Sequence, residues 1–355
     1  ALVAVVYARR TMRPLWFSLL AVPSLVHTVV TWFLLRAADR WQDATPPCDD
    51  HRWLVVVPAR GEGRAVARTL QSISDGGGAD RVRTLLLLDG DDPDAQEIAE
   101  SSGCEVVVKR PPGPSKAAAL SWLAKNHRET LEEVDAVLLL DVGSTLSSGF
   151  FDVFSWPGGV AGVQAVLSGR GAGAGAAAAS SETFAQRVED RGREVLGWTV
   201  HLRGTGTALS PDAFRRVAER LRTRVEDTES TLLMAAAGRR VVLGPSAARV
   251  HDEKPETVAS AARQRARWLA GQLAVPLRHP RAVFRLLKRN PTEGVAFVCD
   301  VLGRPLSLTA LMRLAVAAVL VGGPVLGHGG RAEIIAAAVI GLSVVVDVAI
   351  VARST

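Results

Sequence analysis

The chain has 355 residues, 48% of them apolar, 22% charged and 5% aromatic, with a formal net charge of +6. That length accommodates one large domain or two of medium size, and high apolar content beside many charges points to a soluble domain joined to membrane segments. A single tyrosine and the lack of a zinc or RNA-binding signature argue against nucleic acid, so a membrane-proximal surface or an anionic small substrate accounts for the basic balance. Cys48, Cys104 and Cys299 are scattered singly. They form neither a disulfide framework nor a C-x-x-C site, which fits a reducing compartment.

Pro14–Leu35 is uncharged, long enough to span a bilayer, and carries Trp16 and Trp32 near its ends. No small-residue cleavage site follows, which argues against a signal peptide. Arg36 to Pro47 is a polar linker. From Trp53 short apolar runs, Leu54–Val57, Thr84–Leu88, Val106–Val108, Val137–Leu140 and Val160–Val166, alternate with amphipathic segments at Ala65–Ser74, Pro93–Ser101 and Lys116–Asn126. This alternation predicts an α/β fold with a mostly parallel sheet.

Ser168–Ser181 is low in complexity and reads as a mobile surface loop. Helices are predicted at Phe184–Trp198, Asp212–Arg220, Thr228–Ala237 and Thr257–Val275, a Gly-rich turn at Arg203–Ser210 and a strand at Arg240–Leu243. The basic stretch around Val283, Phe284, Leu286 and Leu287 reads as a helix lying on an anionic membrane surface. Pro305–Gly327 and Ala332–Ala352 read as two further spans, carrying Arg313 and Asp347. Either these two pair with each other or Arg313 snorkels to the interface. The basic belt before Pro305 and Arg353 place the sheet domain on the inner side of the membrane, whereas Arg9, Arg10 and Arg13 break that rule for a single first span. Four regions follow: residues 1–47 as membrane segment and linker, 48–275 as the sheet domain, 276–304 as amphipathic interfacial helices, and 305–355 as C-terminal transmembrane helices.

Candidate chemistry gathers at strand ends, where open α/β sheets bind ligands. The first run ends in Pro58-Ala59-Arg60-Gly61-Glu62, the second in Asp89-Gly90-Asp91-Asp92, and the fourth in Asp141-Val142-Gly143. Acids at one sheet edge can hold a ribose, a base and a divalent metal, although Asp141 alone reads equally well as the cap of a turn. Neither G-x-x-x-x-G-K-[ST] nor, after the first strand, G-x-G-x-x-G is present, which disfavours a P-loop ATPase and an ordinary dinucleotide fold.

In their order these motifs resemble those of membrane-embedded family 2 glycosyltransferases, the group containing cellulose, chitin, hyaluronan and poly-N-acetylglucosamine synthases. The resemblance runs from Trp53 to Leu273, plus the flanking spans, and implies a GT-A type nucleotide-sugar fold with its catalytic domain at the cytoplasmic face of the plasma membrane. Pro58-Ala59-Arg60 and Glu62 match the family's uridine-binding opening, Asp89 and Asp91 its second nucleotide-binding acid, and Lys116 its lysine near the diphosphate. Arg203-Gly204-Thr205-Gly206-Thr207 resembles its acceptor-side turn, Val225-Glu226-Asp227 its Thr-Glu-Asp triplet with Asp as general base, and Gln264-Arg265-Ala266-Arg267-Trp268 its Q-x-x-R-W signature. Gly271-Gln272 continue in the family manner. Arg249–Glu256 resembles the mobile gating loop of the synthases, and His251 within it reads as an exposed loop histidine outside the site.

Gly143 departs from the family's Asp-x-Asp, and Asp-Val-Gly is similar to fungal chitin synthases. Asp141 is then the metal residue for Mg²⁺ or Mn²⁺, which favour oxygen ligands. The implied reaction is inverting transfer from a nucleotide-sugar, UDP-linked, to a growing polysaccharide. Asp227 would act as base with Glu226 beside it, Lys116 and Arg267 on the diphosphate, and Gly204, Thr205, Gly206, Gln264 and Trp268 on the acceptor. Transfer of one sugar to a lipid or lipid phosphate, and a non-catalytic nucleotide- or polymer-binding membrane subunit, are the alternatives. Homo-oligomerisation would make room for a translocation channel.

Overall fold

The structure, a computed structural model, describes residues 22–43, 50–154, 156–170, 174–253, 257–303, 306–325 and 331–354. After a helix over residues 22–38 (α1) come β1 (Trp53–Ala59), α2 (Val66–Asp75), β2 (Val82–Asp89), α3 (Pro93–Ser101), β3 (Glu105–Lys109), α4 (Lys116–Asn126), α5 (Arg128–Glu132) and β4 (Ala136–Leu139). The chain continues through β5 (Thr145–Leu146), α6 (Phe150–Val153), β6 (Gly162–Gln164), β7 (Val166–Arg170), α7 (Ala174–Phe184), a π-helical stretch (Ala185–Asp190) and α8 (Arg191–Val195). Then follow β8 (Thr207–Leu209), α9 (Pro211–Ala218), α10 (Glu226–Ala237), β9 (Val241–Leu243), β10 (Arg249–Glu253), α11 (Val258–Arg278), α12 (Pro280–Arg289), α13 (Pro291–Gly303), α14 (Leu306–Val325) and α15 (Arg331–Ser354).

The strands of the main sheet run β3-β2-β1-β4-β8-β6-β9. β1 is central because its Leu54–Val57 run is apolar on both faces, as a strand covered by helices on each side must be. Val55 and Val57 pack into one layer with α2, α3 and Phe150, Phe151 and Phe154, while Leu54 and Val56 pack into the other with α4 and α9. β1 pairs in parallel with β2 and β4, with Val57 opposite Leu86 and Val55 opposite Leu138. This register brings the ends of β1, β2 and β4 to the same edge.

β8 departs from the expected parallel pattern, running antiparallel to both β4 and β6. A second sheet, β5-β10-β7, lies outside the main one. Two loop expectations are corrected here. Ser168–Ser181 contributes the end of β7 and, from Ala174, helix α7, because its alanine run has the highest helix propensity of any residue type. Arg249–Glu253 is strand β10 rather than a loop, held between β5 and β7, and its His251 sits opposite Thr145 and Ser168. Residues 254–256 of that segment lie outside the described residues.

The chain divides into two units, residues 37–291 and residues 1–36 with 292–355. The second holds α13, α14, α15 and most of α1. Helices stand where three membrane spans are expected, yet among the described residues no helix is long and apolar enough to cross a membrane. The spans expected at Pro305–Gly327 and Ala332–Ala352 are thus not borne out among the described residues, and the Pro14–Ala21 part of the first expected span lies outside them. Arg36 and Asp39 close the apolar stretch of α1, and Arg313 and Asp347 interrupt α14 and α15; residues 1–21 lie outside the described residues. Arg313 does not snorkel: its side chain is buried and donates to Asp347 Oδ2 at 2.6 Å, with His27 Nδ1 3.6 Å from the same oxygen. Burial without that partner would leave a charge unpaired.

Beneath β1, Trp53 is 1% exposed and its ring lies 5.5 Å from that of Phe154 and 5.7 Å from that of Phe151. Trp53→Ala is expected to lower stability by about 3–5 kcal/mol, read as a reduced denaturant midpoint at unchanged slope.

Candidate active site

The site begins where β4 ends. The Asp141 N–H donates to Thr205 Oγ1 at 3.1 Å, and the Thr205 hydroxyl meets Ser144 Oγ at 3.0 Å. The backbone of the strand end is thus clipped to the turn before β8, and the Asp141 carboxylate faces Lys116. Lys116 is the first residue of α4, whose N-cap Ser115 accepts from the Ala118 N–H. Its ammonium donates to Asp141 Oδ1 and to the Gly204 carbonyl at 2.8 Å, and lies 2.9 Å from Glu226 Oε1. One cation therefore joins four segments distant in sequence.

Gly204 has φ +79°, a conformation that disfavours any side chain, and a Cβ there would stand 3.3 Å from Glu226 Oε1. The turn around it hangs on Gln164 of β6. Gln164 Oε1 accepts from the Arg203 N–H at 3.0 Å and the Thr207 hydroxyl at 2.7 Å, while Nε2 donates to the Thr205 carbonyl at 3.0 Å. The buried Arg203 guanidinium pairs with Asp190 and, at 2.7 Å, with Glu182. Asp190, fully buried in the π-helical stretch, also accepts from the His201 N–H and is 2.8 Å from His201 Nδ1.

Glu226 and Asp227 open α10, where a helix N-terminus favours carboxylates. Buried Glu229, one turn below Glu226, fixes that start. It accepts from the N–H groups of Arg222 and Thr223 at 2.7 and 2.8 Å and meets His279 Nε2. α11 passes across the same point: a Cβ on Gly271 would lie 2.5 Å from Val225 Cγ1.

Electrostatics mark the site. Burial pushes Asp227 up to about 6, with the Glu226 charge adding to the rise and Thr228 and Lys116 opposing it. Burial likewise raises Asp141 despite Lys116, and Glu226 and Asp252 reinforce the rise; its side chain keeps 41% exposure on the open side, which moderates the burial effect. Glu62 is raised first by burial, then by Asp141 and Asp92. For Lys116, burial lowers the value, but Asp141 and Glu226 outweigh it and hold the ammonium charged. The carboxylates of Glu62, Asp141, Glu226, Asp227 and Asp252 thus feel one another around this ammonium. Such an oxygen-rich, net negative set suits Mg²⁺ or Mn²⁺, and a Cβ built on Gly143 meets nothing within 4 Å, so space lies open beside Asp141.

The predicted residues fall into groups. Lys116, Asp141, Gly204 and Glu226 are in direct contact, with Thr205 and Asp227 adjoining and Glu62 in electrostatic reach. Arg60 and Asp89 form a second cluster: Asp89 Oδ1 accepts from the Gly113 N–H at 2.6 Å and pairs with Lys109, and Arg60 lies 3.5 Å from Asp89 Oδ2. Ala59 is buried at the end of β1, Gly206 is tied through its N–H to Leu139, and Asp91 is exposed and paired with Arg110. Arg267 and Trp268 are exposed on α11, and no hydrogen bond among the described residues joins Arg267 to Asp141 or Asp227. Arg267 nevertheless lies one turn from Gly271, on the helix face that meets Val225. The Gln264 side chain lies outside the described residues.

Sequence reasoning missed Asp252, because the segment reads as a loop until β10 pairs with β5 and β7. It also missed Gln164, Asp190, Glu229 and His279, none of which stands in a motif.

Residues 137–346, more than half of the chain, match the sequence profile of glycosyl transferase family group 2. The protein belongs to this family and is a glycosyltransferase. No curated protein sequence matches it. Among solved structures, a mannosyltransferase from Pyrobaculum calidifontis in complex with GDP-Man and Mn²⁺ is similar at 16% identity and a TM-score of 0.52. The match covers 92% of this chain and 99% of that one. Glucosyl-3-phosphoglycerate synthase from Mycobacterium tuberculosis, solved with Mn²⁺, UDP and phosphoglyceric acid, is similar at 16% identity and a TM-score of 0.38 over 65% of this chain and 76% of that one. The fold is thus a GT-A-like mixed, mostly parallel sheet.

Asp190 is held at about 2: burial opposes its charge, but Arg203 and His201 outweigh burial. A folded value below the unfolded one, about 4, gives stability that is present above pH 4 and lost as pH falls through 2. Asp190→Asn is expected to lower stability at neutral pH by about 3 kcal/mol and to remove that part of the acid unfolding limb, measured by denaturant titration across pH.

Proposed function

We propose that the protein transfers a sugar, with inversion, from a nucleoside diphosphate sugar to a hydroxyl of a growing saccharide, and that Asp227 is the general base. The observation that carries this reading is the meeting of Lys116, Asp141 and Glu226 at one point, with Asp227 adjoining at a raised carboxyl of about 6. A base with that value is ionised at neutral pH yet basic enough to accept a proton as the new bond forms.

Arg60, Glu62, Asp89 and Asp91, with the Ala59 backbone, hold the nucleoside at the ends of β1 and β2. Asp141 would hold a Mg²⁺ or Mn²⁺, with Asp252 and Glu62 in electrostatic reach, and the ion would supply charge neutralisation at the diphosphate. Lys116 donates to the diphosphate oxygens, and Arg267, carried by α11, offers a bidentate fork to the same group. The Gly204–Gly206 turn and Gln264 border the acceptor, and Trp268, 42% exposed, presents a flat apolar face to its ring. Asp227 takes the proton from the acceptor hydroxyl while Glu226 keeps its carboxyl from becoming a weaker base. UDP is the favoured nucleotide; a mannosyltransferase of this fold holds GDP-Man, so GDP-sugars belong in the same screen.

Radiolabelled UDP- and GDP-sugars supplied with Mn²⁺ test the reaction, and product length separates chain extension from single transfer. Asp227→Asn is expected to abolish transfer with nucleotide binding nearly intact; a folded variant that loses nucleotide binding contradicts the base assignment. In the wild type, activity is expected to rise with pH through about 6, because the base works only when deprotonated. Trp268→Ala is expected to reduce acceptor transfer more than donor hydrolysis, and equal losses would exclude stacking.

A further inference from the structure

We propose that Lys116 is the resting counter-ion of the cation site, and that it keeps free divalent metal off Asp141 until a nucleoside diphosphate draws the ammonium away. This inference rests on the function proposed above, which assigns Asp141 to the metal and the neighbouring space to the diphosphate. The ammonium has three N–H donors, and all three have acceptors here: Asp141 Oδ1, the Gly204 carbonyl and Glu226 Oε1. None is left over for a phosphate oxygen.

Asp141 is also the strand-end acid with no partner two residues on, since Gly143 carries no carboxylate. The ammonium therefore occupies one carboxylate oxygen, Oδ1, of the residue assigned to the metal. A divalent ion arriving alone must displace a cation that is half-buried, has an acceptor for each N–H and is held charged by two carboxylates. Repulsion between the two cations opposes its entry.

A diphosphate changes both sides of this balance. Its oxygens replace the acceptors that the ammonium gives up, and they bring ligands for the metal that Gly143 does not supply. The lysine stem suits such a hand-over. Ser115 fixes the backbone at the N-cap of α4, while the four-carbon side chain lets the charged head swing. Metal and nucleotide consequently enter together, and an enzyme without donor does not retain the metal.

The test titrates Mn²⁺ into the full chain and reads free Mn²⁺ by electron paramagnetic resonance, without nucleotide and with UDP or GDP. Wild type is expected to bind Mn²⁺ weakly alone and tightly with nucleotide. Lys116→Gln is expected to bind Mn²⁺ alone about ten-fold or more tightly than wild type, and Lys116→Arg, which keeps the charge, to stay weak. Lys116→Met serves if Lys116→Gln does not fold. Equal affinity of wild type and Lys116→Gln for Mn²⁺ alone, with nucleotide-dependent uptake intact, overturns the counter-ion role while sparing the proposed function. Tight binding of Mn²⁺ by the wild type without nucleotide overturns it as well, whatever the variants do. Failure of every nucleotide to promote Mn²⁺ uptake removes the proposed function and this inference with it.

Discussion

One ammonium surrounded by carboxylates is the constraint on which the rest of the molecule turns. Lys116 at the start of α4 meets Asp141 beyond β4, the Gly204 carbonyl before β8 and Glu226 at the start of α10. Each such charge contact is worth about 4 kcal/mol in gross terms at an intermediate dielectric, but desolvation cancels much of that. The arrangement therefore contributes less to net stability than to uniqueness. Any shift of α4, of the 203–207 turn or of α10 leaves a half-buried charge without its partner.

A ring of buried polar contacts holds those four segments without touching the reacting atoms. Gln164 spans the turn, Asp190 and Glu182 hold Arg203, and Glu229 with His279 secures the loop ahead of α10. Gln164, Asp190 and Glu229 each make several of these contacts, which is the condition for polar side chains to be tolerated at such depth. Gly271 completes the frame from outside, letting α11 close on Val225 where a methyl group would collide.

The site faces two demands that pull in opposite directions. Activating an acceptor hydroxyl calls for a carboxylate removed from water, and burial raises Asp227 to about 6. Under the proposed function, stabilising a departing diphosphate calls for positive charge in the same place, where Lys116 stands within hydrogen-bonding distance of Glu226. Glu226 stands between the two, raising its neighbour and holding the lysine. The family match, which begins at residue 137, takes in Asp141, Glu226 and Asp227 but not the first three strands, where Arg60 and Asp89 form their own cluster.

The sequence by itself determined the layered sheet and the identity of most of the charged groups. Uninterrupted apolar runs can be buried only between two layers of helices, and α3 and α4 run between the residues that their capping signals and periodicity mark. Strand ends are local features, so Asp141 could be named as a candidate before any contact was known. The tertiary structure alone decided what those groups face: that Lys116 reaches Asp141 and Glu226, that Asp91 turns to Arg110 at the surface, and that Asp252 joins the acids from β10. It also decided that Arg313 pairs with Asp347 and that the alanine-rich insertion is helical. Those outcomes depend on distances between segments tens to hundreds of residues apart, and on desolvation that exists only once the chain has closed around them. No local pattern of residue types encodes either quantity.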